Sequence, residues 1–590
     1  MTDARPTAWI SPQAGMRAAL AALVNVPRLL NAYFDLQPDP HDPPQRVVFG
    51  TSGHRGCSLD GSFNEWHVLA IAQAICQYRH GHGIHGPLFV GIDTHALSRP
   101  ALDTVLSVLA GNGVDVVLPH DDGPTPTPVI SHAILAHNRL HARSHASALA
   151  DGIVITPSHN PPQFGGLKYN LPHGGGADQN ATEWIGRVAN GLLVAHLQGV
   201  KRTSIAKARK ASTTHRRDWM HGYINELDQV VDMGLIRHAQ LRIGVDPLGG
   251  AGVHYWPDIA QRHGLNLYVV NPHVDPTFSF VPLDWDGQIR MDPSSPWAMQ
   301  GLLDIKDRFD IAFACDTDHD RHGIVCPASG LMQPDHYLAV AIDHLVAQRA
   351  LWAPQAAIGK TVVCSDLIDR LASRLQRTVF QVPAGFKWFA PGLRDGTLAF
   401  AGEDSAGAAF ARRDGSAWTT DKDGISAGLL AAEITARAGC TPDALYGRLA
   451  QAFGNPCSAR IQVPSSAAQK HRLATLTPRD VPAGEVAGEP VLRILTHAPG
   501  NGAAIGGLKV ITRSGWFVAR PSGTEPLYKI VAESFAGPAH LQQLLSQAQG
   551  VVDGVMADAP VPFATDSATS ISTATPTGTA ADRRSLSRAA

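Results

Sequence analysis

Ser158 lies in the run Thr156-Pro157-Ser158-His159-Asn160-Pro161, held between prolines at 157 and 161–162. The run follows Asp151–Ile155, a short apolar stretch that predicts a buried strand. Open α/β proteins carry their sites in loops at the carboxyl ends of parallel strands. An inert turn uses the same residue types, so this loop gains meaning from a second one. Asp316-Thr317-Asp318-His319-Asp320-Arg321 follows another strand-like run, Phe309–Cys315. Its three carboxylates at alternate positions offer hard oxygen ligands to Mg²⁺ or Ca²⁺. Carboxylates that close repel unless a cation sits among them. An EF-hand is excluded, because Arg321 and Pro327 stand where its Gly and Glu belong. A three-carboxylate site leaves coordination positions open for a phosphate oxygen, as Mg²⁺ prefers.

Two more loops follow strand-like runs. Gly402-Glu403-Asp404-Ser405-Ala406-Gly407 offers carboxylate and hydroxyl groups suited to sugar hydroxyls, and an ordinary acidic turn has the same composition. Arg520-Pro521-Ser522-Gly523-Thr524 offers a guanidinium, two hydroxyls and backbone N–H groups, a set that suits a phosphate. A type I or II turn with an exposed Arg is the alternative there. Commoner phosphate loops are missing. Ile358-Gly359-Lys360-Thr361 resembles the end of a Walker A loop, but Pro354 replaces the required Gly. Gly249-Gly250-Ala251-Gly252 does not fit the dinucleotide fingerprint. His80, His82 and His85 end a helix-like run with no orienting carboxylate near them in sequence, which reads as a surface loop.

Strand-like and helix-like runs alternate between these loops, which predicts doubly wound α/β units. From about Gln45 to Val200 the strands are 87–93, 114–120 and 151–157, with helices over 66–80 and 101–113. The basic stretch Lys201–Arg217 marks a boundary, and a second unit starts at Leu241–Asp246. A third unit has candidate strands at 360–365, 379–383 and 398–402, and a fourth at 506–512 and 515–520. Met16–Leu36 reads as an amphipathic helix interrupted near Pro27. The insert 139–150 is polar and histidine-rich, and the tail from about 564 is Ser/Thr/Ala/Pro-rich without periodicity, so it is expected to be disordered.

A chain of 590 residues predicts roughly three to five domains. Lys plus Arg (49) nearly balances Asp plus Glu (51), which argues against nucleic-acid or membrane-surface partners. No apolar run is long enough to span a bilayer, and no secretory signal is evident. Seven scattered cysteines without a CxxC pair suggest reduced thiols and a cytoplasmic location.

The four loops, in this order, resemble the signature loops of the α-D-phosphohexomutases. The flanking text is similar to the bacterial phosphoglucomutase branch: Phe49–Gly56, the residues around Ser158, Gly385–Phe389, and Thr420–Gly424. The resemblance spans about 45–555. It implies an α/β chain of four domains around a central cleft, with three related doubly wound α/β domains and a smaller α+β C-terminal domain. Expected limits are 1–205 with the phosphoserine loop, 206–327 with the metal loop, 328–453 with the sugar loop, 454–560 with the phosphate loop, and 561–590 as tail.

The same resemblance implies Ser158 as phosphoserine and Mg²⁺ on Asp316, Asp318, Asp320 and a phosphoserine oxygen. Lys168, His159 and Lys422 are then acid/base candidates, Lys168 ranking first because it lies in the Ser158 loop itself. Arg55 would stabilise the phosphoryl group. Thr51, Arg321 and Lys387 would line the cleft, and Glu403 and Ser405 would meet the sugar hydroxyls. Arg520, Ser522, Gly523 and Thr524 would hold the non-reacting phosphate with help from Lys529. The implied partner is a small sugar phosphate, with glucose 1,6-bisphosphate as activator and intermediate. His54 and His322 read as supporting residues, and Trp388 and Trp418 as core or motif neighbours. Rival readings are a mutase for mannose, glucosamine or pentose phosphates, a phosphatase, and a non-catalytic sugar-phosphate-binding protein.

Overall fold

The computed structural model describes residues 10–50, 52–141, 148–480, 484–522 and 527–556. Thr51, Gly523, Thr524, residues 142–147 of the histidine-rich insert and the tail lie outside the described residues.

The first sheet holds β1 (Phe49–Gly50), β2 (Gly53–Cys57), β3 (Leu88–Ile92), β4 (Val116–Pro119), β5 (Asp151–Ile155), β6 (Phe164–Asn170) and β7 (Thr214–Arg217), in the order β1-β2-β6-β5-β3-β4-β7. Strands β5, β3, β4 and β7 are parallel. β6, β2 and β1 extend the sheet antiparallel. Side chains alternate across a strand, and both faces are apolar here. Leu88, Val90, Ile153 and Ile155 join one core with helices Glu65–Gly81, Ser98–Gly111 and Gln179–Val194, while Phe89, Val117 and Val154 join another with helix Thr127–Leu140.

The second sheet holds β8 (Ile243–Asp246), β9 (Leu267–Val269), β10 (Ile311–Cys315), β11 (His322–Cys326) and β12 (Gly330–Leu331), in the order β12-β11-β10-β8-β9. The third holds β13 (Ala357–Thr361), β14 (Val379–Val382), β15 (Leu398–Glu403) and β16 (Gly407–Phe410), in the order β14-β13-β15-β16. The fourth domain pairs β17 (Cys457–Pro464), β20 (Arg493–His497), β21 (Ala504–Ile511), β22 (Gly515–Pro521) and β23 (Leu527–Ser534) antiparallel as β17-β23-β22-β21-β20. A small hairpin of β18 (Glu485–Val486) and β19 (Glu489–Pro490) precedes β20. Helix Pro538–Met556 covers one face of that sheet.

One unit recurs in the first three domains. β5, β10 and β15 each pair parallel on one side, end in a polar loop, and turn back into an antiparallel neighbour, β6, β11 or β16. In the fourth domain the loop lies between antiparallel β22 and β23. All four expected site loops therefore lie between adjacent strands of a sheet.

A single apolar cluster runs through the first three domains, from Phe89 and Val154 through Val245 and Phe313 to Phe400 and Leu429. Helix Gly424–Ala438 carries it: it belongs to the third domain but packs on β10 and β11 of the second.

Three expectations need correction. The basic stretch does not bound the first domain at residue 205, because Thr214–Arg217 is the edge strand β7 of the first sheet. It reads as a boundary because the strand residues Thr214–Arg217 are mostly exposed and carry no apolar alternation. The third-domain strand is Ala357–Thr361 rather than 360–365. Pro27 starts a helix instead of breaking one: Val26–Asp35 has proline in its first turn and Asn25 as cap, preceded by a short 3₁₀ turn at Leu20–Ala22. All seven cysteines are free. Among the described residues no helix is long and apolar enough to cross a membrane.

Phe313 is fully buried under the close approach of Gly428. Phe313→Ala is expected to destabilise the first three domains together by about 3–5 kcal/mol, read as one earlier, still shared unfolding transition by calorimetry.

Candidate active site

Ser158 sits at the end of β5 in the left-handed region, φ +57°, and is 1% exposed. Its neighbours hold that conformation. The Ser158 N–H donates to Thr156 Oγ1 (2.8 Å), which donates to Asp93 Oδ2 (2.7 Å). Thr317 Oγ1, from the second domain, donates to the Ser158 carbonyl (2.5 Å). The hydroxyl itself donates to Asp316 Oδ2 at 2.6 Å. The serine loop of the first domain and the aspartate loop of the second are thus joined at the Ser158 hydroxyl.

Asp316, Asp318 and Asp320 are buried, and each offers an oxygen within 4.8 Å of the others. Their remaining oxygens are held from three domains. Lys168 Nζ, on β6, donates to Asp318 Oδ2 (2.6 Å) and Asp320 Oδ2 (2.8 Å). Thr127, at the start of its helix, donates through Oγ1 to Asp318 Oδ2 (2.6 Å) and through N–H to the Asp318 carbonyl (2.8 Å). Lys422 Nζ, from the third domain, lies 3.3 Å from Asp320 Oδ2. The Arg321 N–H donates to Asp316 Oδ1 (3.0 Å). Among the described residues, Asp318 Oδ1 and Asp320 Oδ1 are buried and accept no hydrogen bond, with Arg321 Nε standing 3.9 Å from Asp320 Oδ1. Orphaned buried carboxylate oxygens cost free energy unless something cationic meets them. Two such oxygens, with Asp316 alongside, fit a hard divalent cation. The electrostatics agree. Burial and the Asp318 and Asp320 charges push the Asp316 carboxyl well above its ordinary range, whereas Lys168, Lys422 and Arg321 outweigh burial at Asp320 and lower it.

The sugar-type loop is wired to this cluster. Lys422 Nζ is also 3.3 Å from Glu403 Oε1, and Ser405 Oγ donates to the same oxygen (2.7 Å). Arg321 bridges to Gly407 through its backbone. Behind Lys422, the buried Asp423 accepts from Tyr223 Oη (2.8 and 2.9 Å), Trp418 Nε1 (2.7 Å) and the Ser426 N–H (3.0 Å). Gly424 N donates to the His319 carbonyl (2.9 Å), and a Cβ on Gly424 would meet the Arg321 carbonyl at 2.2 Å. Only glycine allows that approach. The Gly249–Gly252 turn has the same use, since Gly250 lies against the Thr317 backbone.

Arg55 donates to Asn160 Oδ1 (3.0 Å) and Ser52 Oγ (2.8 Å), placing a guanidinium beside the serine loop. His159 Nδ1 lies 3.4 Å from Ser158 Oγ, and burial with Arg321 and Arg55 nearby keeps its imidazole neutral. In the fourth domain, Arg520 on β22 stands directly opposite Lys529 on β23, so both point to one face. Asp404 and Glu403 are near enough to support the Arg520 charge against burial. Arg460, two registers along on β17, bonds Asp404. Ser522 is buried at the end of this strand pair.

Among the described residues, Lys387 makes no hydrogen bond or ion pair with the serine or aspartate loops. It lies in the turn Phe386–Trp388 with Trp388 at 5.5 Å, and its nearby charges are Asp178 and Glu183. His54 is tied to the Val48 and Ser62 carbonyls and His322 stacks edge-on to Tyr337, so both are structural. Asp93, Thr127, Thr317 and Arg460 were not singled out from sequence. Asp93 ends the run 87–93, and a carboxylate at a strand end was the available signal; Thr127 and Arg460 carry none, being defined by contacts across domains.

The matched family domains follow the chain. Phosphoglucomutase/phosphomannomutase α/β/α domains I, II and III match residues 46–192, 221–330 and 333–453, and the C-terminal domain of that family matches 496–549. A protein named phosphoglucomutase from Komagataeibacter xylinus is 56% identical over 550 residues, covering 93% of this chain and 98% of its own length. A phosphoglucomutase/phosphomannomutase from Thermococcus kodakarensis is 25% identical over 493 residues, covering 82% and 94%. The fold is shared with a phosphoglucomutase/phosphomannomutase family protein from Burkholderia thailandensis (TM-score 0.66, 20% identity, 88% of this chain and 99% of that one). It is also shared with parafusin from Paramecium (TM-score 0.67, 18% identity, 88% and 96%). The order of the matched domains and the near-full-length relative show that the chain belongs to the phosphoglucomutase/phosphomannomutase family.

Proposed function

We propose that this chain interconverts glucose 1-phosphate and glucose 6-phosphate through phospho-Ser158. The observation that carries the reading is the Ser158 hydroxyl bonded to Asp316 at the edge of a cluster with two orphaned carboxylate oxygens. The name of the Komagataeibacter relative supports glucose as the sugar.

In the forward direction, O6 of glucose 1-phosphate attacks the phosphorus of phospho-Ser158. The O6–P bond forms, the Oγ–P bond breaks with its electron pair going to Oγ, and the O6 proton passes to a base. The product, glucose 1,6-bisphosphate, turns over. Ser158 Oγ then takes the phosphoryl group from O1, and O1 picks up a proton as glucose 6-phosphate leaves. Mg²⁺ held by Asp316, Asp318, Asp320 and a phosphoserine oxygen would neutralise charge on the phosphoryl group.

The protein's own residues do the rest. Arg55 holds phosphoryl oxygens, Glu403 and Ser405 orient the sugar, and the Arg520–Thr524 loop with Lys529 keeps the non-reacting phosphate in one place. Proton transfer falls to Lys168 or Lys422, both bordering Asp320, with neutral His159 the third candidate. A phosphatase would need water in place of the sugar hydroxyl and has no use for the Glu403 and Arg520 loops.

The first assay incubates the protein with Mg²⁺, trace glucose 1,6-bisphosphate and glucose 1-phosphate, with mannose 1-phosphate in parallel. Glucose 1-phosphate is expected to convert much faster; faster conversion of mannose 1-phosphate would make the chain a mannose-type mutase. Ser158→Ala is expected to lower kcat by a factor of about 10³ or more, and near-normal turnover would end the phosphoserine mechanism. Chelation should abolish activity and Mg²⁺ restore it, while Asp318→Asn should stay inactive at any Mg²⁺ concentration tested. Of Lys168→Met and Lys422→Met, the variant lacking the proton-transfer group should lose roughly 10²–10⁴ in kcat with little change in KM and lose one limb of the pH profile.

A further inference from the structure

The chain ahead of residue 46 lies outside the matched family domains, yet it is built into two of them. Helix Val26–Asp35 buries Leu29 and Tyr33 in the first domain. Tyr33 Oη donates to Thr104 Oγ1 (3.0 Å), while Ser58 Oγ and Asn64 Nδ2 donate to the Leu29 and Ala32 carbonyls (2.7 Å each). The segment before the helix crosses to the second domain and pairs with it through the backbone. Ser11 N donates to the Trp285 carbonyl, Gly15 N to the Leu283 carbonyl, and Leu283 N to the Met16 carbonyl, all at 2.8 Å. Ala18 and Leu23 pack on the apolar cluster of Leu283, Ile289 and Met291.

The segment grips a hairpin, closed by the Leu283–Ile289 bridge and by Asp284 N donating to the Gln288 carbonyl (2.8 Å). The far side of that hairpin lies on the catalytic cleft. Gln163, just after the serine loop, reaches Gln288 at 3.5 Å. The Pro293 carbonyl presses on Gly323 so closely that a Cβ there would stand 2.0 Å from it. Arg290 is fixed by two bonds from its guanidinium to Asp286 Oδ2 (3.0 and 2.8 Å). Its charge bears on His159 alongside those of Arg321 and Arg55. Asp292 is the strongest support for the Arg321 charge against burial.

We propose that residues 10–24 are a positioning strap that, through hairpin 283–292, holds Arg290 beside the serine loop as a further phosphate-binding arginine and Asp292 behind Arg321. The inference rests on the mutase reading and deepens it. A doubly charged phosphate entering between Arg55 and Arg321 gains a third cation there, and that cation is in register only while the strap holds the hairpin.

The test breaks the strap without touching the aspartates. Ser11→Pro with Gly15→Pro removes two backbone donors, and Gly15, at φ +80°, cannot accept proline. A chain lacking residues 1–24 keeps the helix that packs on the first domain. Both are expected to raise KM for glucose 1-phosphate about tenfold while kcat changes less than about threefold, a loss of binding rather than of chemistry. Arg290→Met in the full chain should give the same split, and combining it with the strap variants should add nothing further. Unchanged KM in the proline variant, a silent Arg290→Met, or additive losses would each overturn the proposal. If the shortened chain fails to fold, the two full-length variants decide. Calorimetric Kd for glucose 1-phosphate separates the two readings: an inactive wild type with weaker binding in the variants sinks the mutase reading alone, and an unchanged Kd sinks the strap.

Discussion

Three carboxylates buried within 4.8 Å of one another cannot stay charged in a dry interior without compensation. The compensation comes from elsewhere in the chain. Lys168 and Thr127 belong to the first domain, the aspartates to the second, and Lys422 to the third. Separating these domains would strand a charge in low dielectric, so the cluster makes them one rigid body in electrostatic terms. The packing agrees, since one apolar cluster runs through all three. Helix Gly424–Ala438 does both jobs at once. It buries its apolar face on the second sheet and presents Asp423 and Lys422 at its start.

The recurring unit explains how such a cluster can be assembled. A loop between a parallel strand and its antiparallel neighbour is anchored at both ends by sheet hydrogen bonds. Its residues are then placed by the ladder rather than by a mobile connection. Ser158 tolerates a left-handed backbone because Thr156, Asp93 and Thr317 fix every group around it. Strain of that kind persists only where the surroundings over-determine it.

Much of this was legible in the sequence, for a physical reason. Buried strands write themselves as apolar runs, and polar loops at their ends stand out by contrast, so Asp151–Ile155 and Phe309–Cys315 led to Ser158 and the aspartates. What failed to show was structure made by backbone pairing or by contacts between domains. Thr214–Arg217 is a strand with no apolar side chain to announce it. β11 and β16 are short, five and four residues, and each follows its polar loop directly, so the hairpin turn-backs left little pattern. Thr127 looks like a residue in a Thr/Pro turn until the fold puts it against Asp318. Lys387 shows the other limit of sequence: it lies in text that resembles the family, while its neighbours in the fold are Trp388, Asp178 and Glu183.

The fourth domain obeys a different constraint. It has its own core, formed by β21–β23 and helix Pro538–Met556. It meets the third domain through Trp516, Val518 and Val362, and through Lys509 bonded to the Val362 carbonyl and Asp366. Among the described residues, none of the groups that balance the aspartates comes from it. Its contribution to the cleft is one charged face, where Arg460, Arg520 and Lys529 lie on the same side of the sheet opposite Asp404 and Glu403. A sugar bisphosphate that must present both ends to one serine needs a phosphate site that can give way during the exchange. A domain outside the aspartate cluster can shift without parting Asp316, Asp318 and Asp320 from the groups that balance them, whereas the first three cannot. The division of labour follows from where the charges are balanced: the proposed chemistry sits in the part that the aspartates lock together, and the face proposed for the far phosphate sits outside it.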